Sequence, residues 1–180
     1  MLFLSTIVTK SQTVVVPVNI HIPILFKAIS LEKNINKPDL ETFVVGVAYE
    51  EGNERSVGIK NEILSFGKNE KYDLLDGKSV RFEAIDVNTT KDIRELLYQI
   101  NPAALYIAPL NQNMLQKVMS ATQKGKVLSI TGVPEYVDDG VSVGIGIKGD
   151  SPEIIINLAA SKEEGAQFSS KVLGLARIVQ

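Results

Sequence analysis

The sequence predicts a doubly wound, mostly parallel α/β sheet with helices on both faces, a C-terminal antiparallel edge hairpin and a final helix. Three observations carry this. Segments 42–48, 103–108 and 127–131 are almost continuously apolar, as strands buried on both faces are. Between them, apolar residues recur at helical spacing, and strands alternating with helices imply right-handed parallel crossovers. After them, Val141, Val143, Ile145 and Ile147 alternate before a Gly149-Asp150-Ser151-Pro152 turn and a second extended run, which reads as a hairpin.

The elements follow in order. Val14, Val15 and Val16 are extended, because Pro17 disfavours helix in the residue before it. Asn19 is expected to cap a helix running to Glu32, with Pro23 in its first turn and Leu25, Phe26 and Ile29 inward. Residues 34–39 form a turn. A helix over 56–66 turns Ile59, Ile63 and Leu64 inward, and the strand at 80–87 alternates as an edge strand does. Asn88 or Thr89 is expected to cap the helix carrying Ile93, Leu96, Leu97 and Ile100. Pro109 stops the strand at 103–108. The next helix, 111–123, carries Leu115, Val118 and Met119 and is expected to close at Gly125. Residues 132–140 read as a polar loop. In the last helix Ser161 and Glu164 have capping-box spacing, and Phe168, Val172, Leu175, Ala176 and Val179 form the buried stripe. Residues 14–180 are read as one domain. Residues 1–13 are set apart from it, with two readings open: a first strand or disordered tail, and the residual apolar core of an export signal whose start is truncated.

Composition bounds the chemistry. The chain has 180 residues, 44% hydrophobic and 22% charged, enough for a real core. A net charge of −2 gives no electrostatic case for nucleic-acid binding. The sequence holds no run near the roughly 18–20 apolar residues of a membrane span. With no Cys and His21 as the one histidine, thiol chemistry, a Cys-based zinc site and a two-histidine metal site within one chain are excluded. No cofactor or metal is expected.

Motif-like runs lose their meaning in context. Gly144-Ile145-Gly146-Ile147-Lys148-Gly149 matches a dinucleotide fingerprint but lies in the hairpin, without the helix whose amino terminus would meet a pyrophosphate. Gly77-Lys78-Ser79 leads into a strand and reads as a turn. His21 is expected to be packed among apolar neighbours. The pairs Glu50-Glu51, Asp138-Asp139 and Glu163-Glu164 are expected to be solvated, since neighbours in sequence seldom face one another. Ligands of doubly wound sheets bind outside the carboxyl ends of the strands. That rim makes Tyr49, Glu50, Pro109, Leu110, Asn111 and Thr131 the candidate ligand- or partner-binding residues; none is read as catalytic.

A resemblance lies in the carboxyl third. Leu105-Tyr106-Ile107-Ala108-Pro109, Val127-Leu128-Ser129-Ile130-Thr131, Gly140-Val141-Ser142-Val143-Gly144-Ile145, Ile154-Ile155-Ile156-Asn157-Leu158 and the run Phe168-Ser169-Ser170-Lys171-Val172-Leu173-Gly174-Leu175-Ala176-Arg177-Ile178-Val179 occur in this order. Together with the looser match of the amino half, over about 16–180, the chain resembles the YfiR family of small bacterial regulators. The resemblance implies an exported, periplasmic, non-enzymatic α/β domain with a protein partner in the cell envelope. The best-known members bind the periplasmic sensor portion of a membrane diguanylate cyclase and lower cyclic-di-GMP signalling. This chain departs from them in lacking their disulfide cysteines, so redox tuning does not carry over. It also has Gly140-Val141-Ser142-Val143-Gly144-Ile145 where many members have a Gly-Gly-Met-Ile-Gly-Phe-like run. Two other readings stay open: an accessory module of an envelope receptor or sensor kinase, and a small hydrolase or transferase. A homodimer is a further open reading.

Overall fold

The computed structural model describes residues 16–34, 42–68 and 78–180. The segment 1–13, Val14, Val15, residues 35–39 of the expected turn, and Gly77 lie outside the described residues.

Helix α1 (Val18–Ser30) opens the described chain and buries Ile22, Leu25, Phe26 and Ile29. Its cap position is Pro17 rather than Asn19, and no side chain caps it. Pro23 therefore lies in the second turn, where its ring nitrogen leaves the Asn19 carbonyl without its helical donor. Asn19 is exposed, so water can serve that carbonyl.

The expected alternation follows: β1 (Thr42–Tyr49), α2 (Glu54–Gly67), β2 (Ser79–Asp86), α3 (Ile93–Ile100), β3 (Ala104–Ile107), α4 (Gln112–Gly125) and β4 (Leu128–Thr131). The carboxyl part comprises α5 (Glu135–Asp138), β5 (Val143–Lys148), β6 (Ser151–Asn157), α6 (Leu158–Glu163), α7 (Ser170–Leu173) and β7 (Arg177–Val179). One seven-stranded sheet runs in the order β2-β1-β3-β4-β5-β6-β7. The first five are parallel neighbours, β6 is antiparallel to β5, and β7 is parallel to β6.

The pleat divides the core into two layers. Ala104 and Tyr106 of β3 join α1 and α2 residues Leu25, Phe26 and Ile63, while Leu105 and Ile107 join α3 and α4 residues Leu97, Leu115 and Val118. Period two in the strand thus feeds both faces, which is why these strands read as unbroken apolar runs. Each fully buried aliphatic side chain here contributes about 1.5–3 kcal/mol relative to exposure.

Several boundaries differ from expectation. Helix α2 starts at Glu54, capped by the Asn53 side chain, which accepts from Ser56 N at 3.2 Å. Helix α3 is capped by Asp92, not Asn88 or Thr89, which bond instead to the Asp86 carboxylate. Helix α4 ends in a left-handed Lys126 (φ 56°), one residue beyond Gly125. The loop 132–140 contains the short helix α5, which places Val137 over the sheet.

The hairpin is not the edge of the sheet, and the expected final helix does not continue. Asn157 ends β6 and caps α6, accepting from Ala160 N at 3.0 Å, while its Nδ2 donates to the Val137 carbonyl at 3.0 Å. Ser161, expected to cap, is buried and donates to the Leu158 carbonyl. The chain breaks after α6, restarts for one turn in α7, and then extends as β7, which covers β6. Leu175 is consequently 70% exposed rather than buried.

The hairpin glycines serve close packing. A Cβ on Gly144 would stand 2.4 Å from Val137 Cγ2, and one on Gly146 would stand 2.8 Å from Ile155 Cδ1. Gly144→Ala is therefore expected to lower stability by about 1–3 kcal/mol, the usual range for an overpacked core. Urea unfolding would show this as a lower midpoint with unchanged slope; an unshifted midpoint would mean that α5 lifts away without cost.

Candidate functional site

Strand order reverses at β1, whose following crossover leads to β2 on one side while β3 lies on the other. The crevice outside the carboxyl ends of β1 and β3 is the position where this architecture places ligands. Two helix amino termini, those of α2 and α4, open onto it. Asn53 and Asn111 cap them, Asn111 accepting from Met114 N at 3.1 Å. Such termini favour an anion through free N–H groups and the helix dipole.

The anion is supplied by the chain itself. Glu50 Oε2 accepts from Asn111 N at 2.9 Å, and its Oε1 accepts from Asn111 Nδ2. Asn53 Nδ2 lies 3.4 Å from both Glu50 Oε2 and the Pro109 carbonyl. The Glu50 amide donates to Ser56 Oγ at 2.9 Å. The Asn111 N–H is the main cause holding the Glu50 carboxyl below its ordinary range. Glu50 is thus bonded across the crevice, unlike a free carboxylate on the surface.

The other rim residues divide. Tyr49 is half-buried beneath the Lys60 ammonium, which lies 4.6 Å from its ring centre. Burial, with Asp86 and Glu51 nearby, raises its phenol pKa. Pro109 and Leu110 are buried. Tyr136 Oη accepts from Leu110 N and donates to the Leu110 carbonyl, both at 2.8 Å, and so clasps this loop from α5. Thr131 is fully buried; its hydroxyl donates to the Ile107 carbonyl at 2.8 Å and accepts from Val133 N at 3.1 Å. The structure therefore joins Glu50 and Asn111, sets Tyr49 and Leu110 beside them, and buries Thr131 beneath. Asn53 and Tyr136 belong to the same arrangement and are absent from the sequence-derived set. Asn53 carried a usable signal, a cap residue three positions before Ser56 at a strand-to-helix turn. Tyr136 carried none.

His21 is fully buried. Its Nδ1 lies 2.7 Å from the Val16 carbonyl, which assigns the ring proton to Nδ1. Nε2 then accepts from Tyr106 Oη at 3.0 Å, and Tyr106 Oη accepts from Gly132 N at 3.2 Å. Burial lowers the His21 pKa and raises that of Tyr106, so both are neutral near neutrality. Both imidazole nitrogens are occupied by core groups.

The pair Glu163-Glu164 corrects the solvated expectation. Glu164 is 3% exposed. Its Oε2 accepts from Ser129 N at 2.7 Å, from Ser129 Oγ at 3.0 Å and from Ser142 Oγ. This ties the end of α6 to β4 and to the start of the hairpin. Burial outweighs these bonds and raises the carboxyl pKa. Asp138 remains exposed and lies 3.5 Å from Arg177. No group of three or more His, Cys, Asp or Glu that could hold a metal occurs among the described residues. No described helix is long and apolar enough to cross a membrane.

A family profile described as YfiR/HmsC-like matches residues 58–177, about two thirds of the chain, beginning inside α2. No curated protein matches the chain. Among solved structures, an ABC domain in complex with L-Trp from Streptococcus pneumoniae is similar at TM-score 0.58 and 16% identity, covering 86% of this chain and 59% of that one. A conserved domain protein from Vibrio cholerae has TM-score 0.57 and 15% identity, covering 87% and 58%. A ligand-free, open substrate binding protein with adhesive properties from Clostridium difficile has TM-score 0.52 and 15% identity, covering 77% and 54%. The chain thus spans less than two thirds of each of these structures, and the likeness establishes the mostly parallel α/β fold.

Proposed function

Because the chain belongs to the YfiR/HmsC-like family, we propose that it is a non-enzymatic regulatory module that works in the periplasm by docking a protein partner. The partner that fits the family best is the periplasmic sensor portion of a membrane diguanylate cyclase, whose capture lowers cyclic-di-GMP output. The observation that carries the docking reading is Glu50. In the ligand position of the fold, the chain's own carboxylate meets the amide donors of Asn111 and Asn53, the cap residues of two helix amino termini. A small anion is thereby displaced in advance, and the rim presents an internally bonded surface built from Glu50, Asn111 and their neighbours. His21, with both nitrogens engaged in the core, is unsuited to act as a base.

Exposed rim positions test this without disturbing the caps. Glu51 and Gln112 flank Glu50 and Asn111 and are exposed. Charge reversal at an interface rim acts mainly on association rate and partner choice. The wild-type chain is expected to capture a membrane diguanylate cyclase from envelope extract, identified by mass spectrometry. The Glu51→Arg, Gln112→Glu double variant is expected to capture it at least about tenfold less, a change of about 1.4 kcal/mol. Equal capture by the variant, or recovery of cytosolic proteins alone, would refute the reading. Recovery of an outer-membrane receptor or a sensor kinase would replace it with the accessory-module reading.

A further inference from the structure

The outer face of the α3–α4 pair differs in charge from the rest of the chain. Residues 87–134 carry five cations, Lys91, Arg94, Lys117, Lys124 and Lys126, against two carboxylates, Asp92 and Glu95. That is +3 in a chain of net −2, so the remainder carries −5. We propose that this face docks on a membrane surface rich in anionic phospholipid, with Arg94 and Lys124 meeting headgroup phosphates and Tyr98 entering the interface. This contact is separate from the rim around Glu50 and needs no protein partner.

Helices α3 and α4 pack side by side over the second core layer, with a groove between them. Two hollows of about 300 and 900 Å³ adjoin along the groove and share Arg94 and Lys124 as walls. Lys91 and Lys117 line the smaller, Tyr98 and Lys126 the larger. Lys117 reaches from α4 toward the start of α3, its Nζ donating to the Thr90 carbonyl at 3.3 Å, which leaves two ammonium protons for a ligand. The side chains of Lys91, Arg94 and Lys124 are exposed and have no ion-pair partner among the described residues. The carboxylates nearby are engaged locally. Asp92 accepts from Glu95 N at 3.0 Å as the cap of α3, and Glu95 accepts from Gln99 Nε2 at 3.1 Å. Asp86, just before this stretch, is bonded to Asn88 N and to the Thr89 hydroxyl. From Asn111 to Pro134 the sequence has no acidic residue.

The shape of the face selects a surface over a small anion or a peptide. Lys117 and Lys124 stand seven residues apart on one helix, about 10 Å along its axis, wider than a single phosphate can bridge. Every charged residue along the groove is exposed, whereas a small-ligand site buries most of its ligand. The apolar floor is closed: Ile93, Leu97, Ala121 and Val127 are at most 7% exposed, so no pocket is left to anchor an apolar peptide or helix. An array of phosphates, by contrast, meets all the cations at once, and each Lys or Arg brought to an anionic leaflet strengthens binding about fivefold. Tyr98 fits the same partner. It is 82% exposed, the most exposed of the large hydrophobic side chains described, and it stands one turn from Arg94 on the same helix face. A tyrosine ring has an apolar body and a polar tip, which is why tyrosine gathers at bilayer interfaces.

Sedimentation of the whole chain with lipid vesicles tests this. Binding is expected to vesicles of equal parts phosphatidylcholine and phosphatidylglycerol, not to phosphatidylcholine alone, and it should weaken with added salt. The Arg94→Gln, Lys124→Gln variant is expected to bind about thirtyfold more weakly. The Lys27→Gln, Lys148→Gln variant loses the same net charge at exposed positions elsewhere and should bind as the wild type does. The sequence has no Trp, so Tyr98→Trp places a single fluorescent reporter on the face, and its emission should shift to the blue on anionic vesicles. No binding to anionic vesicles, equal binding to neutral ones, equal losses in the two double variants, an unshifted emission, or tripolyphosphate or poly-glutamate bound as tightly as the vesicles would overturn the assignment.

Discussion

Replacing Glu164 with Ala is expected to lower the unfolding free energy by about 3–5 kcal/mol, the range for removing one partner from a buried, charged hydrogen-bond cluster. The substitution strands Ser129 N, Ser129 Oγ and Ser142 Oγ in the core. Each buried donor left unmade costs about 1–3 kcal/mol. Relief of the carboxyl's own desolvation offsets part of that sum. Glu164→Gln retains an acceptor and should lose much less. Equal losses for Ala and Gln in urea unfolding would assign the effect to charge rather than to the serine cluster. The pH dependence follows from the raised pKa of Glu164. Between the unfolded value of 4.5 and the raised folded value, the folded chain binds more protons. Stability from this group is therefore greatest below 4.5 and declines as pH rises through the folded value. In the Ala variant that decline should vanish.

Tyr106→Phe is expected to cost about 2–4 kcal/mol: one hydroxyl serves two buried partners, each of which loses about 1–3 kcal/mol, and relief of the hydroxyl's own desolvation offsets part of that sum. His21 Nε2 loses its donor and Gly132 N loses its acceptor. Ring packing is retained, since Phe fills the same space against the imidazole, whose centre lies 5.7 Å away. Unfolding midpoints measured at pH 7.5 would show the loss, and a loss below about 1 kcal/mol would mean that water replaces the hydroxyl. His21 sets an acid limit of its own. Burial lowers its folded pKa from 6.5 despite the Val16 and Pro17 carbonyls. The unfolded chain takes up the proton first, so stability complete above 6.5 is lost as pH falls from there through the lowered folded value. This runs opposite to Glu164, and the two signs can be separated by comparing midpoints of single variants across pH 4–8.

The rim is partly legible in the sequence. Glu50 and Asn111 follow from one rule, that polar residues just past the carboxyl ends of parallel strands face the crevice. Their mutual bonding did not follow, because they stand 61 positions apart and meet only when β1 and β3 pair. Thr131 satisfies the same rule, yet its hydroxyl turns inward to the Ile107 carbonyl. The rule gives position along a strand and not the rotamer. Glu164 misled the sequence reading for a related reason. An adjacent acidic pair looks solvated, but a helix turns neighbouring residues about 100° apart, so Glu163 faces water while Glu164 faces the core. The carboxyl end failed on helical spacing: Phe168, Val172, Leu175 and Val179 fit one helix, but Ser169 starts a single turn and residues 177–179 extend to satisfy β6. A sheet edge with open backbone groups outweighed a weak local helical preference.

The amino-acid order alone determined the alternation of strands and helices, the burial of β1, β3 and β4 on both faces, the edge character of β2 and the hairpin near the end. Those features are written in the period of apolar residues, and burial of that pattern dominates folding. Tertiary structure alone decided that Glu50 closes the crevice, that Tyr106 pairs with His21 across 85 positions, and that Glu164 enters the core. Such contacts join groups remote in sequence, and their energies depend on the low-dielectric surroundings that exist only once the sheet has assembled.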